Sequence, residues 1–583
     1  MQSSPRRSSS VARLINRSAA ALGAAALVSF AAPTTDAVGA SIIAAADTRA
    51  LSQSGRTGAE IAADRATSSS APAAAAATDR AKKRGKKKRA STSRRRRGSR
   101  RVAAASVARY YAPAAGASLR YTTPRGADAL SSDLGAMLNA KVRSGQWGAI
   151  VVSLTRHDTL FRQNADAEMQ PASTMKLFTS ALALDRLGPD WQFSTDVLRD
   201  GPLDNGTVKG NLVLRGDGDP ALSNRFLRGE ADAPMELLAK FVAGAGVKHV
   251  TGDVIGDASA FDQQRIPEGW LTRYLGAGYA ARVSALSLNE NLVWVAAYPG
   301  DGRGAARVVL EPATTAYTLT SKVRTVPGSS GGSVVVRKST DGHITATGWI
   351  GSRSIPRKYS FVVDDPAAFT VGAFRAALAA QGITVDGQVR LAPTPAGAVK
   401  ITSLPSPPLS RLVSVMNRES INHYAELLFR NAARGPKRVG IGSAQTGEAT
   451  LHDFLTQKVG VAPSAVDVSD GSGLSTLDHL TARSMVQLLS YANDAPWGSA
   501  FHASLPVAGE SELLRHRMKY TPAMGNLHAK TGTTNTVISL GGYVTAQDGE
   551  VLAFSFIYNG NDRWNAKETI DRMGATLAGF ARE

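Results

Sequence analysis

The chain has 583 residues, 43% of them hydrophobic, which is more than one compact core organises, so two or more domains are expected. Residues 1–120 hold 23 Lys and Arg against 5 Asp and Glu; 18 of the 21 formal positive charges therefore lie there, and the remainder is close to neutral, unlike a nucleic-acid protein charged over its whole surface. With no Cys anywhere, disulfides, thiolate zinc sites, iron–sulfur ligation and cysteine nucleophiles are excluded, leaving oxygen and nitrogen chemistry.

The N-terminus has the pattern of an export signal over residues 1–40. Arg6, Arg7, Arg13 and Arg17 precede the apolar run Ser18–Ala32, which is closed by Pro33 and is too short to span a bilayer comfortably. Small residues at Val38 and Ala40, or at Ala44 and Ala46, suit cleavage; an uncleaved anchor is the alternative. The expected location is outside the cytoplasm, in the periplasm or cell envelope. Residues 41–118 are mostly Ala, Ser, Thr, Gly and Arg and bury too little apolar surface to fold, so a disordered linker is expected. Within it, residues 80–101 hold 14 Lys and Arg and no acid. The plainer reading is a solvated tether with nonspecific attraction; in an exported chain its specific partners would be anionic envelope polymers rather than nucleic acid.

Folded texture starts near Leu119. Leu130, Leu134, Leu138 and Val142 recur at helical spacing, and Trp147–Leu154, the turn-like His157–Asp158 and Leu160–Phe161 read as a hairpin. A helix over Ser173–Leu187, preceded by Pro171 and closed by Gly188–Pro189, is too apolar to lie on a surface. The stretch Val197–Leu409 is strand-rich and punctuated by Gly, with clear strands at Val334–Val336 and Phe361–Val363. A helical run is expected from Val413 through Phe429, and Val537–Tyr543 and Val551–Tyr558 read as an antiparallel pair.

Three short motifs carry chemistry. Ser173 and Lys176 are one helical turn apart, and a serine hydroxyl becomes a nucleophile only with a base in reach. Lys176 can be that base if burial lowers its pKa, and Met175, Leu177 and Phe178 supply the burial. The helix N-terminus offers the Ser173 N–H as half of an oxyanion hole. Lys530-Thr531-Gly532 precedes the C-terminal strand pair; on a strand Lys530 and Gly532 share one face, placing a cation where glycine admits a substrate backbone. Ser420-Ile421-Asn422 falls between the two, and chain order favours it over Ser287-Leu288-Asn289. S-x-x-K, S-D-N and K-T-G form the signature of penicillin-binding proteins and class A β-lactamases, and this chain has the three in that order with Ile421 at the middle of the second.

From Trp147 to Ala581 the chain resembles the class C low-molecular-mass penicillin-binding proteins, the D-alanyl-D-alanine carboxypeptidase/endopeptidases. The resemblance extends to Pro171–Thr179, Gly210–Leu222, Gly252–Phe261, Ser284–Asn291, Met416–Leu428 and Asp470–Ser475. It implies an α/β (α+β) catalytic domain of serine DD-peptidase/β-lactamase-like fold, residues 119–196 and 410–583, split by a strand-rich inserted module at 197–409. It also implies that Ser173 attacks the penultimate D-Ala carbonyl of a peptidoglycan stem peptide while Lys176 takes its proton and Ser420 relays one to the leaving amine. Lys530 would help keep Lys176 neutral and, with Thr531 beside Gly532, bind the terminal carboxylate; Asn422 would orient the acyl side chain, and the Ser173 and Thr533 N–H groups would form the oxyanion hole. β-Lactams would acylate the same serine, and no metal or organic cofactor is needed. Ile421 stands where relatives often carry Asp. The rival readings are a β-lactamase or esterase on the same fold and a non-catalytic envelope-binding protein. Gly328–Gly332 matches a G-x-S-x-G string but lacks the strand–turn–helix context of a hydrolase elbow.

Overall fold

The computed structural model describes residues 119–583 apart from Arg228; the expected leader, the linker and the basic run 80–101 lie outside the described residues. Helix α1 (Ala127–Ala140) buries Leu130, Leu134 and Leu138 as their spacing requires, with Met137 joining them. It starts later than Leu119 because Pro124 and Gly126 precede it, the latter at φ 87°, which no right-handed helix accepts. Strands β1 (Gln146–Ser153) and β2 (Thr159–Gln163) form the expected hairpin, turning through His157 at φ 59°.

The chain then enters a 3₁₀ turn, Ala172–Thr174, before helix α2 (Met175–Leu187). Ser173 therefore sits on a tighter turn than an α-helix start. In α2 every residue from Met175 to Leu184 is buried, and Gly188 ends it at φ 86°. Burying Leu177, Phe178, Leu182 and Leu184 stabilises this placement by about 1.5–3 kcal/mol each, enough to carry Lys176 into the interior with them.

The expected helical run past Val413 breaks. Helix α3 (Leu409–Glu419) ends at Ser420, which is left-handed (φ 57°, ψ 45°), and helix α4 (Asn422–Arg434) starts afresh. The last two residues of α3 are pinned: Arg418 pairs with Glu512 at 3.2 Å and Glu419 with Arg225 at 2.5 Å. Helix α5 (Ala482–Asp494) is capped by the Thr481 side chain. Strands β3 (His528–Thr533), β4 (Val537–Thr545) and β5 (Val551–Asn559) and helix α6 (Arg563–Gly579) complete this part.

The strands form one antiparallel sheet in the order β2-β1-β5-β4-β3. On β5, Leu552, Phe554, Phe556 and Tyr558 face α1 and α6, while Ala553 and Ile557 face α2 and α5. Helices on both faces explain why β4 and β5 read as continuous apolar runs rather than alternating ones. β3 is left at the sheet edge, beside the Ser173 turn.

Between α2 and α3 the chain builds further sheets with their own cores. A five-stranded sheet that includes Ser194–Arg199, Leu212–Arg215, Val254–Asp257 and Val399–Pro405 packs with helices Ala233–Gly244 and Pro366–Ala380. Strands Thr318–Val326, Gly332–Lys338 and His343–Gly351 enclose a second small core against Leu292–Tyr298 and Arg357–Val362. Val334–Val336 lies within its strand as expected, whereas the other expected strand ends at Val362, one residue before Val363. Gly328–Gly332 runs from the link between two strands into the first residue of the second, with no helix after it, so it forms no nucleophile elbow. No helix among the described residues is long and apolar enough to cross a membrane.

Candidate active site

The 3₁₀ turn, the α3–α4 junction and the edge strand β3 bring the three motifs together. Lys176 is fully buried, and its Nζ lies 3.0 Å from Ser173 Oγ, 2.6 Å from Asn422 Oδ1 and 2.6 Å from the Ser472 carbonyl oxygen. The last two can only accept, so a neutral lysine spends its two N–H groups on them. Its lone pair then faces the Ser173 hydroxyl, the geometry of a base beside its nucleophile. Burial lowers the Lys176 pKa to about 7, against the upward pull of Asp470, Glu426 and Asp478.

Lys530 is also fully buried and donates to Ser420 Oγ and to the Thr531 carbonyl oxygen, both at 2.9 Å. Burial, and then the neighbouring Lys176, hold its pKa well below the ordinary lysine value. Two ammonium groups in one dry site disfavour each other, and Lys176 adds to burial in lowering Lys530, whereas burial is what lowers Lys176.

Glycine at 532 is a packing requirement. A Cβ there would stand 2.1 Å from Ser539 Oγ, 2.7 Å from the Pro171 carbonyl oxygen and 3.1 Å from the Ser173 nitrogen. This contact lays β3 against the Ser173 turn. Along β3, Ala529 donates its N–H outward to the Pro506 carbonyl and Thr534 donates to Val537 across the turn. Antiparallel alternation therefore turns the N–H groups of Thr531 and Thr533 toward the open edge, on the side of the Ser173 turn. Thr533 is exposed and Thr531 is buried. Asn422 bridges, with Oδ1 on Lys176 and Nδ2 donating to the Tyr279 carbonyl at 2.9 Å.

The motifs do not reveal what lies beneath them. Asp470 is fully buried and accepts the N–H groups of Ser472, Gly473 and Ser475, the Ser472 hydroxyl and the Trp270 indole N–H. Glu426 and Arg430 form a fully buried ion pair at 2.7 Å, one turn apart on α4, and Glu426 also accepts the Gly471 N–H. Burial, reinforced by Asp470, pushes Glu426 up to about 7, and the same causes push Asp478 well above the usual carboxylate range. The string Asp470–Ser475, with two glycines after an acid, was the sequence signal for this loop, but it gives no hint that Ser472 reaches Lys176. His423 is buried and pushed down to about 4 by desolvation; His528 is pushed down to about 4 chiefly for the same reason and packs against the His502 ring, tilted, with centroids 4.5 Å apart.

Comparison with known proteins agrees with this architecture. Residues 130–579 match the model of the D-Ala-D-Ala carboxypeptidase 3 (S13) family. A D-alanyl-D-alanine carboxypeptidase of Actinomadura sp. (strain R39) is 33% identical over 469 residues, covering 78% of this chain and 85% of that protein. The crystal structure of penicillin binding protein 4 (dacB) from Haemophilus influenzae superposes with a TM-score of 0.64 at 24% identity, covering 76% of this chain and 98% of that one. The same H. influenzae protein complexed with a β-lactam gives a TM-score of 0.59 at 23% identity, covering 75% and 97%. The family match takes in all three motifs, from the turn that carries Ser173 to the edge strand that carries Lys530, and the chain belongs to the D-Ala-D-Ala carboxypeptidase 3 (S13) family of serine peptidases.

Proposed function

We propose that the protein hydrolyses the terminal D-Ala-D-Ala bond, or the equivalent cross-link, of peptidoglycan stem peptides through an acyl-Ser173 intermediate. The observation that carries this is Lys176 Nζ at 3.0 Å from Ser173 Oγ, with its other two contacts taken by acceptors. Ser173 Oγ attacks the penultimate D-Ala carbonyl as Lys176 takes the hydroxyl proton. The N–H groups of Ser173 and Thr533 hold the oxyanion, and Ser420, hydrogen-bonded to Lys530, passes a proton to the departing amine. Lys530 and Thr531 bind the terminal carboxylate, Gly532 lets β3 lie against the Ser173 turn, and Asn422, seated between Lys176 and Tyr279, steers the acyl chain. Water then hydrolyses the ester and returns Ser173. The relatives' name and the H. influenzae complex support D-Ala-D-Ala peptides and β-lactams as ligands.

In this reading residues 119–196 and 410–583 form the catalytic domain around an inserted module at 197–409. The leader-like residues 1–40 support export to the periplasm or envelope, and residues 80–101 supply a tether attracted to anionic envelope polymers.

The test is covalent labelling. A fluorescent penicillin is expected to give a denaturation-stable adduct that persists for an hour while D-Ala is released from a D-Ala-D-Ala peptide without drug. Rapid loss of label with drug hydrolysis points instead to a β-lactamase, and no label on folded protein defeats the catalytic reading.

The pH dependence has a defined sign. Below about 7 Lys176 gains a proton and loses the lone pair that faces Ser173, so the acylation rate constant falls about tenfold per unit as pH drops. A profile of penicillin acylation between pH 5 and 8 checks this, and a flat one rejects Lys176 as the base.

A further inference from the structure

Lys176 has two acceptors besides Ser173, and both are held from the same stretch of the inserted segment. Asn422 is fixed by the Tyr279 carbonyl, which accepts from its Nδ2 at 2.9 Å. The Ser472 carbonyl belongs to the loop folded around Asp470, and Asp470 is fixed by Trp270, whose indole N–H donates to Oδ2 at 2.6 Å across 200 residues of sequence. Trp270 is itself 7% exposed, so this is a desolvated, charge-assisted bond rather than a surface contact. The two segments interlock further: Gly269 O accepts both the Thr476 N–H and its hydroxyl at 3.2 Å, and a Cβ on Gly269 would stand 2.2 Å from Ser475 Oγ. On the far side of the loop a Cβ on Gly473 would stand 1.8 Å from the Ala172 carbonyl oxygen, so the loop has no slack toward Ser173.

We infer that Trp270 is a positioning residue for the reaction: through Asp470 it holds the Ser472 carbonyl that aims Lys176, so the inserted segment, and not the catalytic sheet and helices alone, sets the direction of the base. Asp470 uses both carboxylate oxygens on its own loop, for three backbone N–H groups and one hydroxyl, and among the described residues the indole is the donor that reaches it from outside that loop. Removing that donor leaves the loop folded and still tied to α2 by the Thr179 hydroxyl on the Gly471 carbonyl at 2.6 Å, but lets the Asp470 carboxylate, and with it the Ser472 carbonyl, turn. Lys176 is 3.0 Å from the serine it must deprotonate, and a displacement of about 1 Å is enough to cost on the order of a hundredfold in rate. The inference rests on Lys176 acting as the base.

The experiment compares full-length wild type with Trp270→Phe, which keeps an aromatic ring and deletes the N–H. A Trp270→benzothienylalanine variant keeps the bicyclic shape with sulfur in place of N–H, which separates the lost donor from lost packing. Both are expected to lower kcat for D-Ala release and the penicillin acylation rate about tenfold to a hundredfold. KM should stay within about twofold, since no substrate contact is removed. Trp270→His, which restores a ring N–H, is expected to recover part of the loss. Wild-type kcat in the Phe and benzothienylalanine variants overturns the inference, as does a rise in KM with kcat unchanged. The underlying reading fails separately: if Lys176 is not the base, wild type lacks the acid limb near pH 7 whatever Trp270 does.

Discussion

Replacing Ser173 with Ala is expected to abolish the acyl-enzyme while leaving the fold in place. The hydroxyl's hydrogen-bond partner is Lys176, which keeps its two closer acceptors at 2.6 Å when the hydroxyl is gone. The 3₁₀ turn does not depend on it either, because the neighbouring Thr174 hydroxyl bonds the Pro171 carbonyl at 2.8 Å and Ser539 bonds the same carbonyl at 2.7 Å. The thermal midpoint should therefore move by no more than a few degrees. Turnover should fall by about 10⁶-fold, the scale seen when a nucleophile is removed and only binding and oxyanion stabilisation remain. Gel-stable penicillin label and D-Ala release measure it, and a labelled Ser173→Ala protein would move the nucleophile elsewhere.

Gly473→Ala is expected to damage fold and chemistry together. Gly473 has φ 79°, where an L side chain costs about 1–2 kcal/mol, and its Cβ would lie 1.8 Å from Ala172 O and 2.4 Å from Ala172 C. Those are backbone atoms of the residue before the nucleophile. Relief requires moving either the Ser173 turn or the Asp470 loop, and overpacking of this kind costs about 1–3 kcal/mol more. Stability should fall by about 2–5 kcal/mol, read as a lower thermal midpoint. The folded fraction should acylate far more slowly, because either shift changes the distance from Ser173 to Lys176 or from Ser472 to Lys176. A variant with the wild-type midpoint and wild-type labelling would show that the loop is not wedged against the nucleophile.

Much of the catalytic fold is legible in linear patterns. The four-residue repeat of Leu130, Leu134 and Leu138 marks α1, and the unbroken apolar body after Met175 marks a central helix. The runs Val537–Tyr543 and Val551–Tyr558 mark two strands covered on both faces. The break at Ser420 is not legible, because Val413–Phe429 keeps helical periodicity through it. The left-handed turn is pinned by ion pairs to Arg225 and Glu512, which lie far away in the chain.

For the site, the sequence determined the chemistry available. Spacing places Lys176 one turn from Ser173, strand geometry puts Lys530 and Gly532 on one face, and the order of three motifs identifies the family. Tertiary structure alone decided how that chemistry is held. Burial lowers both lysines, and desolvation is a property of the packed interior that no local motif encodes. Asp470, Glu426 and Trp270 reach Lys176 only because α4, the loop after it and a segment 200 residues upstream are folded against one another. Their pairing depends on contacts between residues distant in the chain, which periodicity, a short-range signal, cannot carry.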